Sequence, residues 1–239
     1  MSEIYNEILE DMELIIKVEK QQLLKECNYH LSSIPSSKLT FDVKGATVQL
    51  SKIKLNDLKF TKSLLSISLT ARVDVEKKTL LADVAGDGVV QLNCSTGYAI
   101  SEDWQLQAKF NYDSHRWIDS PDVNIGIIHL PVKSLVDSAI EKQKDTIVET
   151  VNEQMNAISD LQKYIKPLLS YFTHSQKLAK ATLQFSANVV SLLINDIEDN
   201  TDNIIIKTEL IGLPVIHLSD VKPPKQELPE IILKRENES

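Results

Sequence analysis

The chain has 239 residues, enough for one to two domains at roughly 150 residues each, and 42% apolar with 25% charged residues is the composition of a folded soluble protein. With 34 acidic against 26 basic residues the net charge is -8, so no phosphate-tracking surface is offered and nucleic acid is excluded as an expected partner. No apolar run reaches the roughly 18 residues of a membrane-spanning helix.

The first eleven residues carry Glu3, Glu7, Glu10 and Asp11 and no basic residue, unlike a secretory leader, which starts basic and turns apolar. The expectation is a cytoplasmic protein, or a periplasmic or extracellular one if a leader has been removed. From Ile4 the apolar positions Ile8, Leu9, Met12, Ile15, Ile16 and Leu23 recur at helical spacing, which predicts an N-terminal helix over about 3–30. Pro35 within a run of serines closes it.

The period then changes to two. Leu65, Ile67, Leu69, Ala71, Val73 and Val75 alternate with polar residues, as in a strand with one dry and one wet face. A second run keeps Leu80, Ala82, Val84, Gly86, Gly88, Val90 and Leu92 in phase, and a third offers Trp104, Leu106, Ala108, Phe110 and Tyr112. The earlier segment Val48, Leu50, Ile53, Leu55 changes phase between Ser51 and Lys52, as a bulge requires. The region 40–130 is therefore read as long antiparallel strands. Gly86 and Gly88 fall on the apolar face, where a missing side chain allows a sharp bend or a close approach.

Pro131 opens a long helix over about 131–160, with Val132, Leu135, Val136, Ala139, Ile140, Ile147, Val148, Val151 and Met155 apolar and a polar centre at 141–145 that should leave the core. A strand pair over about 180–212 follows, turning through the polar run 195–203, and the segment 221–239, with Pro223, Pro224 and Pro229, reads as an extended tail. The expected fold is α+β, a single domain over 1–220 with a long, strongly curved antiparallel sheet around long amphipathic helices.

Chemistry is sparse. Phosphate-cradling glycine loops, zinc-protease, redox and nucleophile-elbow motifs are all missing, and His30, His115, His129, His174 and His217 share no spacing. Asp196, Glu198, Asp199 and Asp202 lack the glycine and terminal glutamate of a calcium loop and read as a solvated turn. Cys27 and Cys94 stand far apart with no partner base, Cys94 continuing an apolar set as a small hydrophobe. Trp104 and Trp117 read as core residues with satisfied indole N–H groups. No catalytic residue, cofactor or metal is expected, and the chain is not expected to be an enzyme.

The stretch Glu102-Asp103-Trp104-Gln105-Leu106, then Trp117, Ser120-Pro121-Asp122-Val123-Asn124-Ile125-Gly126, Leu130-Pro131-Val132 and the helix through Lys142-Gln143-Lys144-Asp145 resembles an uncharacterised bacterial domain family. That family resembles the tubular lipid-binding superfamily (TULIP), and the likeness runs from about Leu39 to Pro214. Its members are about twice as long, with two similar halves, so the resemblance implies that this chain could complete a tube as a homodimer or other oligomer. It also implies binding, with possible transfer, of a lipid or other hydrophobic molecule, with transient membrane contact. The positions where apolar phase and the implied concavity agree are Met12, Ile16, Leu65, Ile67, Leu69, Val84, Leu106, Phe110, Ile140 and Val151. The alternative is a structural or protein-interaction module with the same fold and a filled core.

Overall fold

The computed structural model describes residues 13–61, 63–78, 83–101, 103–121, 123–125, 128–130, 132–156, 160–162, 166, 173–178, 181–218 and 230–233. In chain order the first elements are β1 (Glu13–Glu19), α1 (Lys20–Leu31), a 3-10 turn (Ser36–Leu39), β2 (Thr40–Val43), β3 (Ala46–Phe60), β4 (Leu65–Lys78) and β5 (Asp83–Thr96). Next come β6 (Tyr98–Ile100), β7 (Leu106–Ala108), β8 (Asn111–Asp119), β9 (Val123–Ile125), β10 (Ile128–Leu130) and α2 (Val132–Asn156). The chain ends with β11 (Thr173–Leu178), β12 (Ala181–Asp199), β13 (Asn203–Leu218) and β14 (Glu230–Leu233).

Where one domain is expected over 1–220, the chain divides into two compact units. The first comprises Glu19–Tyr98 and Ala108–Ile158. Its five-stranded antiparallel sheet has the order β2-β3-β4-β5-β8. Lys44 and Gly45, both at positive φ, make the two-residue turn between β2 and β3, a hairpin geometry that matches the right-handed twist of the strands. On β4 the buried residues are Leu65, Ile67, Leu69, Ala71, Val73 and Val75, the set the alternation predicts, with the intervening side chains partly or fully exposed. The phase change of β3 is a real bulge: pairing with β4 shifts between Ser51 and Lys54, with Lys52 at φ 50, and again between Leu55 and Asp57. Each extra residue returns the next apolar side chain to the inner face, so Val48, Leu50, Ile53, Leu55 and Leu58 are all buried.

Two asparagines on the helices complete backbone pairs that the sheet leaves open. Asn28 of α1 accepts from Leu55 N at 2.7 Å and donates to Leu55 O at 3.0 Å beside the second bulge. Asn152 of α2 does the same for buried Phe110, at 2.9 and 3.2 Å. At Gly88 a Cβ would lie 2.7 Å from Asp119 O and 3.0 Å from the Pro121 ring, so here the absent side chain serves close approach.

Helix α1 packs on β3 and on α2, and α2 makes close approaches to β2, β3 and β8. Adjacent residues of α2 reach opposite margins of the sheet: Asn152 holds Phe110, just before β8, and Glu153 meets Lys38, just before β2, at 2.7 Å. In a flat sheet those corners would be separated by about 30 Å, given roughly 4.8 Å between strands and 3.3 Å per residue. The sheet must therefore curl around the helix.

The second unit comprises Met1–Val18, Ala99–Gln107 and Ser159–Ser239. Its sheet has the order β1-β13-β12-β11, with β14 pairing β12 in parallel through Ser191–Ile194. Three expectations are corrected here or at its borders. Glu13–Glu19 is strand, and the N-terminal helix begins only at Lys20; Ile15, Ile16 and Val18 are β-branched and suit either period, and pairing with β13 selects the strand. The run 195–203 is a turn only at 200–202, because β12 continues to Asp199 with its polar residues on the ladder. The tail 221–239 contributes the strand β14.

The third expected strand of the 40–130 region is broken in two. Trp104 is buried in a loop at φ 59, and β8, which pairs with β5, starts only at Asn111. The helix expected over about 131–160 is described over Val132–Asn156, and Glu141, Lys142 and Asp145 of its polar centre are exposed. Among the described residues no helix is long and apolar enough to cross a membrane.

Candidate functional site

The inner face of β4 and β5 is a continuous apolar surface. Between Leu65 and Val75 it runs for about 33 Å, at roughly 3.3 Å per residue, and the 25 residues of α2 extend for about 37 Å at 1.5 Å each. Leu65, Ile67 and Leu69 lie side by side on this face, Val84 shares it on β5, and Ile140 and Val151 are buried on α2, as Phe110 is at the entry to β8. Seven of the predicted lining residues thus belong to one unit. Ile16 and Leu106 are half-buried and belong to the other, and Met12 lies outside the described residues.

What sequence reasoning misses is the polar rim of this surface. The inward residues of β8 are Tyr112, His115 and Trp117, paired in register with the buried Cys94, Leu92 and Val90 of β5. Helix α2 meets them with Asp137 and Glu141, one turn apart and adjoining the buried Val136 and Ile140. Asp137 Oδ1 accepts from Trp117 Nε1 at 2.8 Å and lies 3.0 Å from His115 Nε2. The Tyr112 hydroxyl bonds His115 Nδ1 and is 3.2 Å from Glu141 Oε1. Lys144 Nζ stands 3.6 Å from Glu141 and 5.9 Å from the centre of the Tyr112 ring. The i, i+4 carboxylates and the aromatic residues of β8 were visible in the sequence, but their meeting depends on how the sheet curls.

Burial pushes the Tyr112 hydroxyl well above its ordinary range, with Glu141 adding to the shift, so it serves as a hydrogen-bond donor. Burial likewise raises Tyr98, whose hydroxyl donates to Thr61 O at 2.8 Å, to about 12. The Cys94 thiol rises from 9.0 to about 12, chiefly through burial and then through Asp113. A folded-state pKa above the unfolded one means that the stabilising neutral form is fully present below about pH 9 and lost as pH rises towards 12. The urea midpoint is therefore expected to fall steadily between pH 9 and 11, with a shallower fall in Cys94→Ala; a flat profile would contradict a buried thiol. Among the described residues no group of His, Cys, Asp and Glu is placed to hold a metal ion.

A family model described as "Domain of unknown function (DUF4403)" matches residues 15–238. No curated protein matches. Among solved structures, the crystal structure of lipopolysaccharide binding protein is 12% identical, covering 96% of this chain and 52% of that one, with a TM-score of 0.45. Takeout 1 of Epiphyas postvittana is 13% identical, covering 66% of this chain and 86% of that one, with a TM-score of 0.17. The chain spans about half the length of the lipopolysaccharide binding protein structure.

Proposed function

The chain belongs to the family described as "Domain of unknown function (DUF4403)", and for this member we propose non-catalytic binding of a hydrophobic ligand, a lipid or acyl chain, between the curled sheet and α2. The observation that carries the proposal is that α2 touches the sheet at both margins, β2–β3 and β8, and so spans the apolar inner face of β4 and β5 as a chord spans an arc. An acyl chain laid along that face would gain about 0.8 kcal/mol per methylene withdrawn from water, so retention needs no charged contact inside. The resemblance of the chain, most specific over 103–145, to a bacterial domain family that itself resembles the tubular lipid-binding superfamily supports the same ligand class. Carriage of the ligand between membranes is the natural extension of such a site.

A second reading has its own support. Leu50, Leu69, Val73 and Val90 are at most 1% exposed, which favours an interior filled by side chains and a module that acts through its outer surface. Native mass spectrometry of the protein as purified, followed by organic extraction, separates the two. Binding predicts an acyl lipid at about one copy per chain or per dimer; a clean apo mass that stays unchanged after incubation with mixed lipids would leave the filled core.

A further inference from the structure

We infer that His115 is the proton-operated part of a clasp between β8 and α2: the contact is complete when the imidazole carries a hydrogen on both nitrogens, and it slackens when the ring is neutral. The clasp is built from side chains of β8 and α2 alone, so it exists whether the interior is filled or holds a ligand.

Three contacts run in series from one carboxylate of α2 to the other: Asp137 Oδ1 to His115 Nε2 at 3.0 Å, His115 Nδ1 to the Tyr112 hydroxyl, and that hydroxyl to Glu141 Oε1 at 3.2 Å. Each hydrogen bond needs a hydrogen between its heavy atoms. Ionised carboxylates bring none, while the hydroxyl and a neutral imidazole bring one each, which leaves two hydrogens for three contacts. The bond from Trp117 Nε1 to Asp137 uses a hydrogen of its own. With an imidazolium every contact is filled: Nε2–H donates to Asp137, Nδ1–H to the Tyr112 oxygen, and the Tyr112 O–H to Glu141. A carboxyl group could carry the extra hydrogen instead, but imidazole is ordinarily the more basic by about two pH units, so the ring takes it first.

Among the described residues, the ring is faced from α2 by Asp137 and Glu141, with oxygens 3.0 and 3.8 Å from its nitrogens, from its own strand by Tyr112, and from β5 by the buried pair Leu92 and Cys94. Lys144 stands against Glu141 at 3.6 Å, and Lys133 is exposed on the turn of α2 before Asp137. Asp113 and Arg116, the other charged residues near it on β8, are engaged with Ser95 and Gln91 of β5. The two lysines match the two carboxylates in number, so a count of charges leaves the state of the ring open and the count of hydrogens decides it. When the ring is neutral, the Tyr112 O–H serves either Nδ1 or Glu141; Glu141, 52% exposed, then turns to water, and Asp137 alone holds α2 to β8 at this clasp.

Urea denaturation of the full chain at about pH 8 and about pH 5.5, the range over which histidine ordinarily changes charge, tests the clasp, with His115→Gln as a side chain that does not titrate. On acidification the folded-to-unfolded ratio of the wild type is expected to rise about three- to tenfold more than that of His115→Gln, as for one hydrogen bond to a charged group discounted for half-exposed carboxylates. Comparing the two proteins cancels the other histidines. Tyr112→Phe removes the middle link and leaves the Asp137 contact, which a neutral ring fills with its own hydrogen, so most of that gain should vanish; a plain histidine–aspartate ion pair would keep it. Parallel pH profiles of wild type and His115→Gln, or an undiminished gain in Tyr112→Phe, overturn the clasp. Should a variant fail to fold, nitrogen NMR of the wild-type imidazole decides at the lower pH. An Nδ1–H protected from exchange with water supports the bond to Tyr112, and an Nδ1–H that exchanges too fast to be seen overturns it.

Discussion

Replacing Asn152 by alanine is expected to lower the unfolding free energy by about 2–6 kcal/mol. The side chain occupies both backbone groups of Phe110, accepting from its N–H and donating to its carbonyl, where neighbouring residues exclude water. Deleting it leaves a buried donor and a buried acceptor without partners, at about 1–3 kcal/mol each. Asn152→Asp should lose at least as much, because a carboxylate can still accept from the N–H but faces the Phe110 carbonyl as a second acceptor. Urea denaturation of the two variants checks this. A loss below about 1 kcal/mol for both would mean that water enters and replaces the amide, and that the corner leading into β8 is looser than its burial indicates.

Leu69→Ala is expected to cost about 2–5 kcal/mol, the range for a large-to-small change at a site that cannot collapse. Leu69 is wholly buried in the middle of β4, and its register partners on either side, Leu55 and Leu92, are as deeply buried. Their backbones are held by the ladder, so the space left behind stays open. The same variant bears on function. If an acyl chain lies over Leu69, added dodecanol should raise the melting temperature of the wild type by mass action, and the substitution should change the size of that rise. An equal loss of stability with no response to dodecanol in either protein would favour the filled core.

Much of the first unit was legible from residue order. The alternation from Leu65 to Val75 names the buried face of β4, and the phase change after Ser51 announces the bulge, because a period of two leaves no other way to keep Ile53 inside. The segment Glu13–Glu19 was ambiguous, since the doublet Ile15-Ile16 suits a helix stripe and a strand alike. The strand β14 was hidden by the prolines and charges of the tail around it; its pairing depends on the edge of β12 beside it, a fact about distant residues. Likewise the run from Trp104 to Phe110 alternates as a strand does, yet Trp104 takes a left-handed backbone and Asn152 supplies the hydrogen bonds that a neighbouring strand would have made.

The candidate site divides along the same line. Hydrophobic pattern by itself determined that β4, β5 and α2 each own a dry face, because side-chain direction follows from local period alone. Only the tertiary structure decided that those faces meet across a curl, and that Tyr112, His115 and Trp117 come opposite Asp137 and Glu141. Curl accumulates from bulges, close approaches such as Gly88 on Asp119, and helix contacts with both margins of the sheet. Each is a long-range term, set by residues far apart in the chain, and no local period records it.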